Sequence, residues 1–197
     1  MTSSARIRTV RQRMHEIDPE PSHAMQVCDL VLQLFDQLGE VHGLGGAERE
    51  LLEAAALLHD IGWSIGAKGH HKSALKLILE IDLPGFKAQE RQIIANIARY
   101  HRKAHPHHDH AHFARLSQKQ QRTVRVLASL LRIADGLDRS HLNAVERISC
   151  RVEADQVGLS LKCRTDCGAE LYGFERKKEL FTETLGLGIF IEGIEPA

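Results

Sequence analysis

Leu51-Leu-Glu-Ala-Ala-Ala-Leu-Leu-His59-Asp60-Ile-Gly62 reads as an apolar helix that runs out into an adjacent imidazole and carboxylate and is stopped by a glycine. Leu51, Leu52, Ala55 and Leu58 recur at helical spacing, which places this helix in a core. Gly62 is read as its stop signal. Buried without partners, a His-Asp pair is costly. A divalent metal would satisfy both groups; for the dipeptide taken alone, a single hydrogen bond at a helix end would do as well.

Moving outward, each neighbouring segment brings one more polar group to an apolar face. Residues 5–17 are basic and weakly periodic, a short helix broken by Pro19 and Pro21. Ser22 is read as the N-cap of a long helix whose face carries His23, Val27, Leu30, Val31 and Leu34. Gly39 to Gly46 reads as a loop. Beyond Gly62, Trp63 to Gly69 is a connection to His70-His71-Lys72, which opens another helix. Ala74, Leu77 and Ile81 share the stripe of His70, while Leu75 and Ile78 share that of His71, so helical phase leaves the two open. Residues 87–103 form the next helix, with Ile94, Ile97 and His101 on one face. His105-Pro-His-His-Asp-His-Ala-His112 is a histidine-rich loop facing solvent. Ser117-Gln-Lys-Gln120 is a capping box opening the longest helix, in which Val124, Leu127, Leu131 and Ala134 form the stripe and Asp135 follows Leu131 at i+4.

After about residue 145 the period changes from helical to alternating. Ile148, Cys150 and Val152, then Val157, Leu159 and Leu161, make a hairpin turning at Asp155-Gln156. Glu175 to Leu185 reads as a helix and Leu187 to Ile194 as a closing strand. The fold class is therefore mainly α, with about six helices over residues 1–144 and a small β-hairpin–α–β appendage over 145–197.

Composition limits the function classes. A chain of 197 residues with 43% hydrophobic and 26% charged content is ordinary for a globular protein. Twenty-six basic residues balance twenty-six acidic ones, so no global field points to DNA or to an anionic membrane. Cys28, Cys150, Cys163 and Cys167 make no paired zinc pattern and are read as reduced thiols of a cytoplasmic protein. The opening Met-Thr-Ser-Ser-Ala-Arg-Ile-Arg lacks a signal peptide's apolar run, and no segment approaches a membrane span. Exposed strand edges in the tail leave room for a homodimer.

His23, His59, Asp60, His70 or His71, His101 and Asp135 come from five separate helices or helix ends, and each is in phase to point inward. One shared metal site explains them together better than separate accidents. Imidazole with carboxylate suits Mn, Fe, Zn, Co or Ni, and Mg if water completes the shell.

The pattern His23, His59-Asp60 and Asp135 resembles the HD superfamily of metal-dependent phosphohydrolases. His59-Asp-Ile-Gly-Trp-Ser-Ile-Gly-Ala-Lys-Gly-His-His-Lys72, Ala98-Arg-Tyr-His-Arg-Lys103 and Leu130-Leu-Arg-Ile-Ala-Asp-Gly-Leu-Asp-Arg-Ser-His141 are similar to the C-terminal half of the exopolyphosphatase/guanosine pentaphosphatase family. The tail phrases Lys177-Lys-Glu-Leu-Phe181 and Gly186-Leu-Gly-Ile-Phe190 extend the resemblance over residues 22–195. It implies an HD-type helical module in which His23, His59, Asp60 and Asp135 hold one metal and His70, preferred over His71, completes a second with His101. Ser73 stands where the narrower family has another histidine. That family splits phosphate in an N-terminal actin-like module with glycine-rich loops, for which Gly43 to Gly46 is too short, so exopolyphosphatase activity is not carried over.

The expected function is a metal-dependent phosphohydrolase acting on a nucleotide or another phosphorylated small molecule. A metal-activated water would attack, Asp60 would manage its proton, and Lys68, Lys72, Arg102, Lys103 and Arg139 would bind phosphate. Asp138 would orient a ligand or pair with Arg139 or Arg132. Two alternatives remain: a non-catalytic module that binds polyphosphate or a guanosine alarmone, or docks on a partner carrying the missing catalytic domain, and an oxygenase with two irons.

Overall fold

Ser4 starts the first helix by accepting a hydrogen bond from the backbone N–H of Ile7 at 3.3 Å. The computed structural model describes residues 4–196. In it α1 (Ala5–Ile17) turns Ile7, Val10 and Met14 inward. Helix α2 (Pro21–Gln37) begins one residue before the expected Ser22 cap. Proline suits that position, because its fixed φ is helical and the N–H it lacks would have had no partner there. The Gly39–Gly46 stretch is not all loop: a single turn, α3 (Gly39–His42), buries His42, whose Nε2 lies 2.9 Å from the Phe35 carbonyl.

Helix α4 (Gly46–Leu58) ends on His59, and a 3-10 turn over Ile61–Ser64 follows. Gly62 therefore lies inside that turn and does not stop the helix. Its lack of a side chain has another cause. A Cβ there would sit 2.0 Å from the carbonyl oxygen of His70 and 2.6 Å from the amide of Ala74. The turn is packed backbone to backbone against α5 (His70–Glu80).

Helix α6 (Ala88–Arg99) stops four residues short of the expected end, so His101 sits in the turn beyond it. The single-turn α7 (Ala111–Ala114) breaks the histidine-rich stretch. Helix α8 (Gln118–Gly136) opens with the anticipated capping box, Ser117 Oγ accepting from Gln120 N at 3.3 Å and Gln120 Oε1 from Ser117 N at 2.9 Å. Every residue from Val126 to Gly136 is buried. A helix covered on all sides is the centre of a bundle, and α8 packs against α2, α4 and α6.

The appendage is a three-stranded sheet in the order β1 (Val145–Val152), β2 (Gln156–Cys163), β3 (Gly188–Pro196). The first two form the expected hairpin, with Ile148 opposite Leu161 and Cys150 opposite Leu159. Strand β3 runs parallel to β2, and a parallel partner needs a crossover. Two short helices provide it, α9 (Gly168–Glu175) and α10 (Glu179–Leu185), where the sequence suggested one helix over 175–185. The free edge of β1 is covered by α2: Gln33 and Gln37 side chains accept from the amides of Ile148 and Cys150 at 2.8 and 2.9 Å. The fold is thus mainly α with a small C-terminal sheet. All four cysteines are free. Among the described residues no helix is long and apolar enough to cross a membrane.

Candidate metal centre

Four imidazoles meet at the end of the bundle where α4, α5 and α6 terminate or begin. His59 caps α4, His70 opens α5, His101 follows α6, and His23 rises from the first turn of α2. Each is 2% exposed or less. Each also has its Nδ1 already engaged. His59 and His101 donate from Nδ1 to the carbonyls of Ala56 and Ala98, both at 2.7 Å, and His70 to that of Ala67 at 3.2 Å. These acceptors are always three residues back, so the local turn fixes the tautomer. His23 instead has Asp138 Oδ2 at 2.7 Å from its Nδ1, and Asp138 Oδ1 accepts from the amide of Asn143 at 2.9 Å. With Nδ1 spent, the Nε2 atoms turn toward one another, and that of His70 also accepts from Arg102 Nη1 at 3.0 Å.

The carboxylates of Asp60 and Asp135 stand among them. Asp60 Oδ2 lies 3.8 Å from His23 Nε2 and 3.7 Å from His59 Nε2, while its Oδ1 lies 3.3 Å from His70 Nε2 and 3.5 Å from His101 Nε2. Asp135 Oδ1 lies 3.5 Å from His23 Nε2 and 4.0 Å from His59 Nε2. His23 Nε2, His59 Nε2 and Asp60 Oδ1 are buried without a hydrogen-bond partner. Leaving such groups unsatisfied costs about 1–3 kcal/mol each, so three at one point call for a common partner. Lone pairs and carboxylate oxygens call for a cation. Donors about 2.1 Å from one ion lie about 3 to 3.5 Å apart, close to the spacings seen here. The side chains fit a divalent metal. They form two groups that share Asp60, one with His23 and His59 and one with His70 and His101.

Electrostatics agree with that fit. Burial pushes the Asp60 carboxyl up, but the imidazoles gathered around it outweigh that and hold it below the usual carboxylate range. Asp135 is likewise raised by burial and then held well below that range by Lys177 and His23. Burial keeps His70 and His101 below the ordinary imidazole range, which suits neutral ligands. His23 is the exception. Burial lowers it, yet Asp135, Asp138 and Asp60 together raise it to about 10.

A cavity of about 330 Å3 opens onto the cluster. Asp60, His70, His101 and Asp135 form its floor, and Arg102, Lys103, Arg139, Arg176 and Lys177 stand in its walls. The turn that carries His101, Arg102 and Lys103 is clasped from α8: buried Arg132 donates to the carbonyls of Tyr100 and Lys103 at 3.1 and 3.3 Å.

The structure brings together His23, His59, Asp60, His70, His101 and Asp135, with His70 buried in the cluster and His71 half-buried outside it. Three of the five expected phosphate-binding cations, Arg102, Lys103 and Arg139, line the cavity. Lys68 and Lys72 do not. Lys68 is exposed in the turn between Gly66 and Gly69 and is not among the residues that line the cavity. Lys72 lies two positions beyond His70, on the other side of α5, and lines a neighbouring hollow with His71 and Tyr100.

Sequence reasoning missed Lys177, which donates to Asp135 Oδ2, because nothing in a short helical link marks it. It also gave His141 no role. That ring stacks flat on His23 with centroids 3.7 Å apart, and its Nδ1 lies 2.8 Å from Glu20 Oε2. Asp138 lies against His23 Nδ1 and accepts from Asn143 N; no ion pair with Arg139 or Arg132 is seen among the described residues.

Residues 5–182 match the family described as Ppx/GppA phosphatase, domain III. Three curated relatives, each named guanosine-5'-triphosphate,3'-diphosphate pyrophosphatase, align with about half of the chain. The protein of Pseudoalteromonas atlantica is 31% identical over 99 residues, 50% of this chain and 20% of its own length. That of Pseudoalteromonas translucida is 32% identical over 103 residues, 51% of this chain and 20% of its own. That of Aliivibrio fischeri is 31% identical over 96 residues, 49% and 19%. The matched part thus spans about a fifth of these relatives.

Proposed function

The chain belongs to the Ppx/GppA phosphatase domain III family, and from that premise we propose that it is an HD-type, metal-dependent phosphohydrolase acting on a nucleotide or another phosphorylated small molecule. One observation carries this reading. Two buried imidazole Nε2 atoms, of His23 and His59, and one carboxylate oxygen, Oδ1 of Asp60, stand without hydrogen-bond partners beneath a cavity walled by arginine and lysine. His23, His59, Asp60 and Asp135 would hold one ion, and Asp60, His70 and His101 a second. The domain division is part of the proposal: residues 1–144 supply these six groups and residues 145–197 supply Lys177. The relatives' names point to a guanosine polyphosphate as one substrate to test.

When bound, a divalent ion supplies an acidified water and polarises a phosphoryl oxygen. The side chains do the rest. Arg102, Lys103 and Arg139 neutralise the charge that grows on the phosphoryl oxygens and fix the group over Asp60. With an ion held by His23, His59, Asp135 and only Oδ2 of Asp60, Asp60 would keep Oδ1, which has no hydrogen-bond donor, to accept the proton of the attacking water. With both groups loaded, its two oxygens would each serve one ion. Asp138 and the carbonyls of Ala56, Ala67 and Ala98 keep the imidazoles turned so that Nε2 faces inward.

The test is elemental analysis of purified protein beside a panel of nucleotides and generic phosphodiesters with manganese. The expected result is one or two equivalents of metal and turnover that Asp60→Ala lowers at least ~1,000-fold. Full loading with silence across the panel would turn the site into a non-catalytic binding module. The sharing of Asp60 between two ligand groups also favours a dinuclear centre, so an oxygen-sensitive colour with iron would instead identify an oxygenase.

A further inference from the structure

The two carboxylates of the cluster are used differently. Asp60 turns both oxygens toward imidazoles, Oδ2 toward His23 and His59 and Oδ1 toward His70 and His101. Asp135 turns only Oδ1 toward His23 and His59, and its Oδ2 accepts from Lys177 Nζ. The lysine belongs to the link between α9 and α10, outside the helical bundle that supplies every other group of the cluster.

Its arrival is built into the packing. Where α9 crosses the end of α8, a Cβ on Gly136 would lie 2.8 Å from the Gly173 carbonyl oxygen, and one on Gly173 would lie 2.2 Å from that of Gly136. The two glycines let the helices touch backbone to backbone. Glu170, 1% exposed, adds a second fastening by accepting from the amide of Ser140 at 3.0 Å. Gly136 is the residue after Asp135, and Lys177 is one helical turn beyond Gly173. The contact therefore sets the lysine against this carboxylate with little freedom, and the side chain of Lys177 is only 17% exposed.

A carboxylate can bind a cation through one oxygen or two. A bidentate Asp135 would fill a position that the water or a phosphoryl oxygen needs. We propose that Lys177 is a positioning residue: by holding Asp135 Oδ2 it restricts Asp135 to one ligating oxygen and keeps a coordination position open on the ion. This rests on the phosphohydrolase reading of the same centre. It also makes the C-terminal appendage part of the site, because the bundle alone has no group in that place.

The experiment compares wild type, Lys177→Met and Lys177→Arg in the full chain, measuring Mn2+ affinity by calorimetry, kcat and KM on the best substrate of the panel, and thermal melting. An ammonium that competes for Asp135 weakens the hold on a cation, so Lys177→Met should bind Mn2+ about 3- to 10-fold more tightly. Its kcat should fall at least about 10-fold with KM changed less than about 3-fold, and Lys177→Arg should recover part of the loss. Unchanged kcat, or Mn2+ affinity equal to or weaker than wild type, overturns the proposal. If Lys177→Met melts too early to assay, Lys177→Gln is read by the same criteria. If wild type turns over nothing, the phosphohydrolase reading fails on its own, and the order of Mn2+ affinities still decides the role of Lys177.

Discussion

Two regions of this molecule are rich in histidine, and only one is organised to use it. Around Asp60, four imidazoles from four separate elements are buried, and each has its Nδ1 fixed by a carbonyl or by Asp138. Between His105 and His112, five histidines lie close in sequence but engage separate partners. His105 pairs with Glu183 at 2.9 Å, His107 with Asp109 at 3.2 Å, and His110 with the Tyr100 hydroxyl at 2.9 Å. The carboxylate partners there are exposed, and Glu179 and Glu183 can leave for solvent. In the loop the Nδ1 atoms of His105, His107 and His110 are engaged as well, so what separates the two regions is burial and the convergence of the other ring nitrogens on one point. A tied Nδ1 removes the rotamer and tautomer choices that a metal would otherwise have to select.

That contrast can be broken by untying one ring. Asp138→Ala removes the acceptor from His23 Nδ1 and leaves the other ligands alone, so metal affinity should fall about 10- to 100-fold. An unchanged affinity in a calorimetric titration would mean that the fixed tautomer does not matter. A proton count sharpens the same point. His23, raised to about 10 by Asp135, Asp138 and Asp60 against the effect of burial, carries a proton at neutral pH. Ligation through Nε2 displaces it, so uptake should release about one proton at pH 8, and affinity should rise with pH until about 10. Calorimetry in buffers of different ionisation heat gives the number, and His23→Gln should lose that release. The smallest effect is expected at the loop. Replacing His107 and His108 by serine should leave turnover and bound metal unchanged and shift stability by less than about 0.5 kcal/mol.

The sequence made the buried groups legible where they sit on regular helices. The 3.6-residue period of apolar neighbours points His23, His101 and Asp135 inward, and it survives even where the helix ends early, as α6 does at Arg99. It leaves His70 and His71 open, and the preference for His70 comes from the family resemblance. Period fails where the backbone leaves the helix. Lys68 is singled out by its nearness to His70 in sequence, but it lies exposed in the turn before α5, off the cavity lining. Lys177 sits on a three-residue link whose place depends on the meeting of two glycines from distant segments, a contact with no local signal. The single helix expected over 175–185 failed for a related reason. The crossover to a parallel strand had to follow the sheet, and a break after Glu175 lets it do so.

The close contact at Gly62 has one more consequence. Asp60 lies two residues before it, and the atom it nearly touches belongs to His70 itself. The gap between the shared carboxylate and the second group of imidazoles is therefore gauged by main chain against main chain. Rotamer changes nearby would leave that ruler unaltered, whereas a single methyl added to it would spread the two halves of the centre apart.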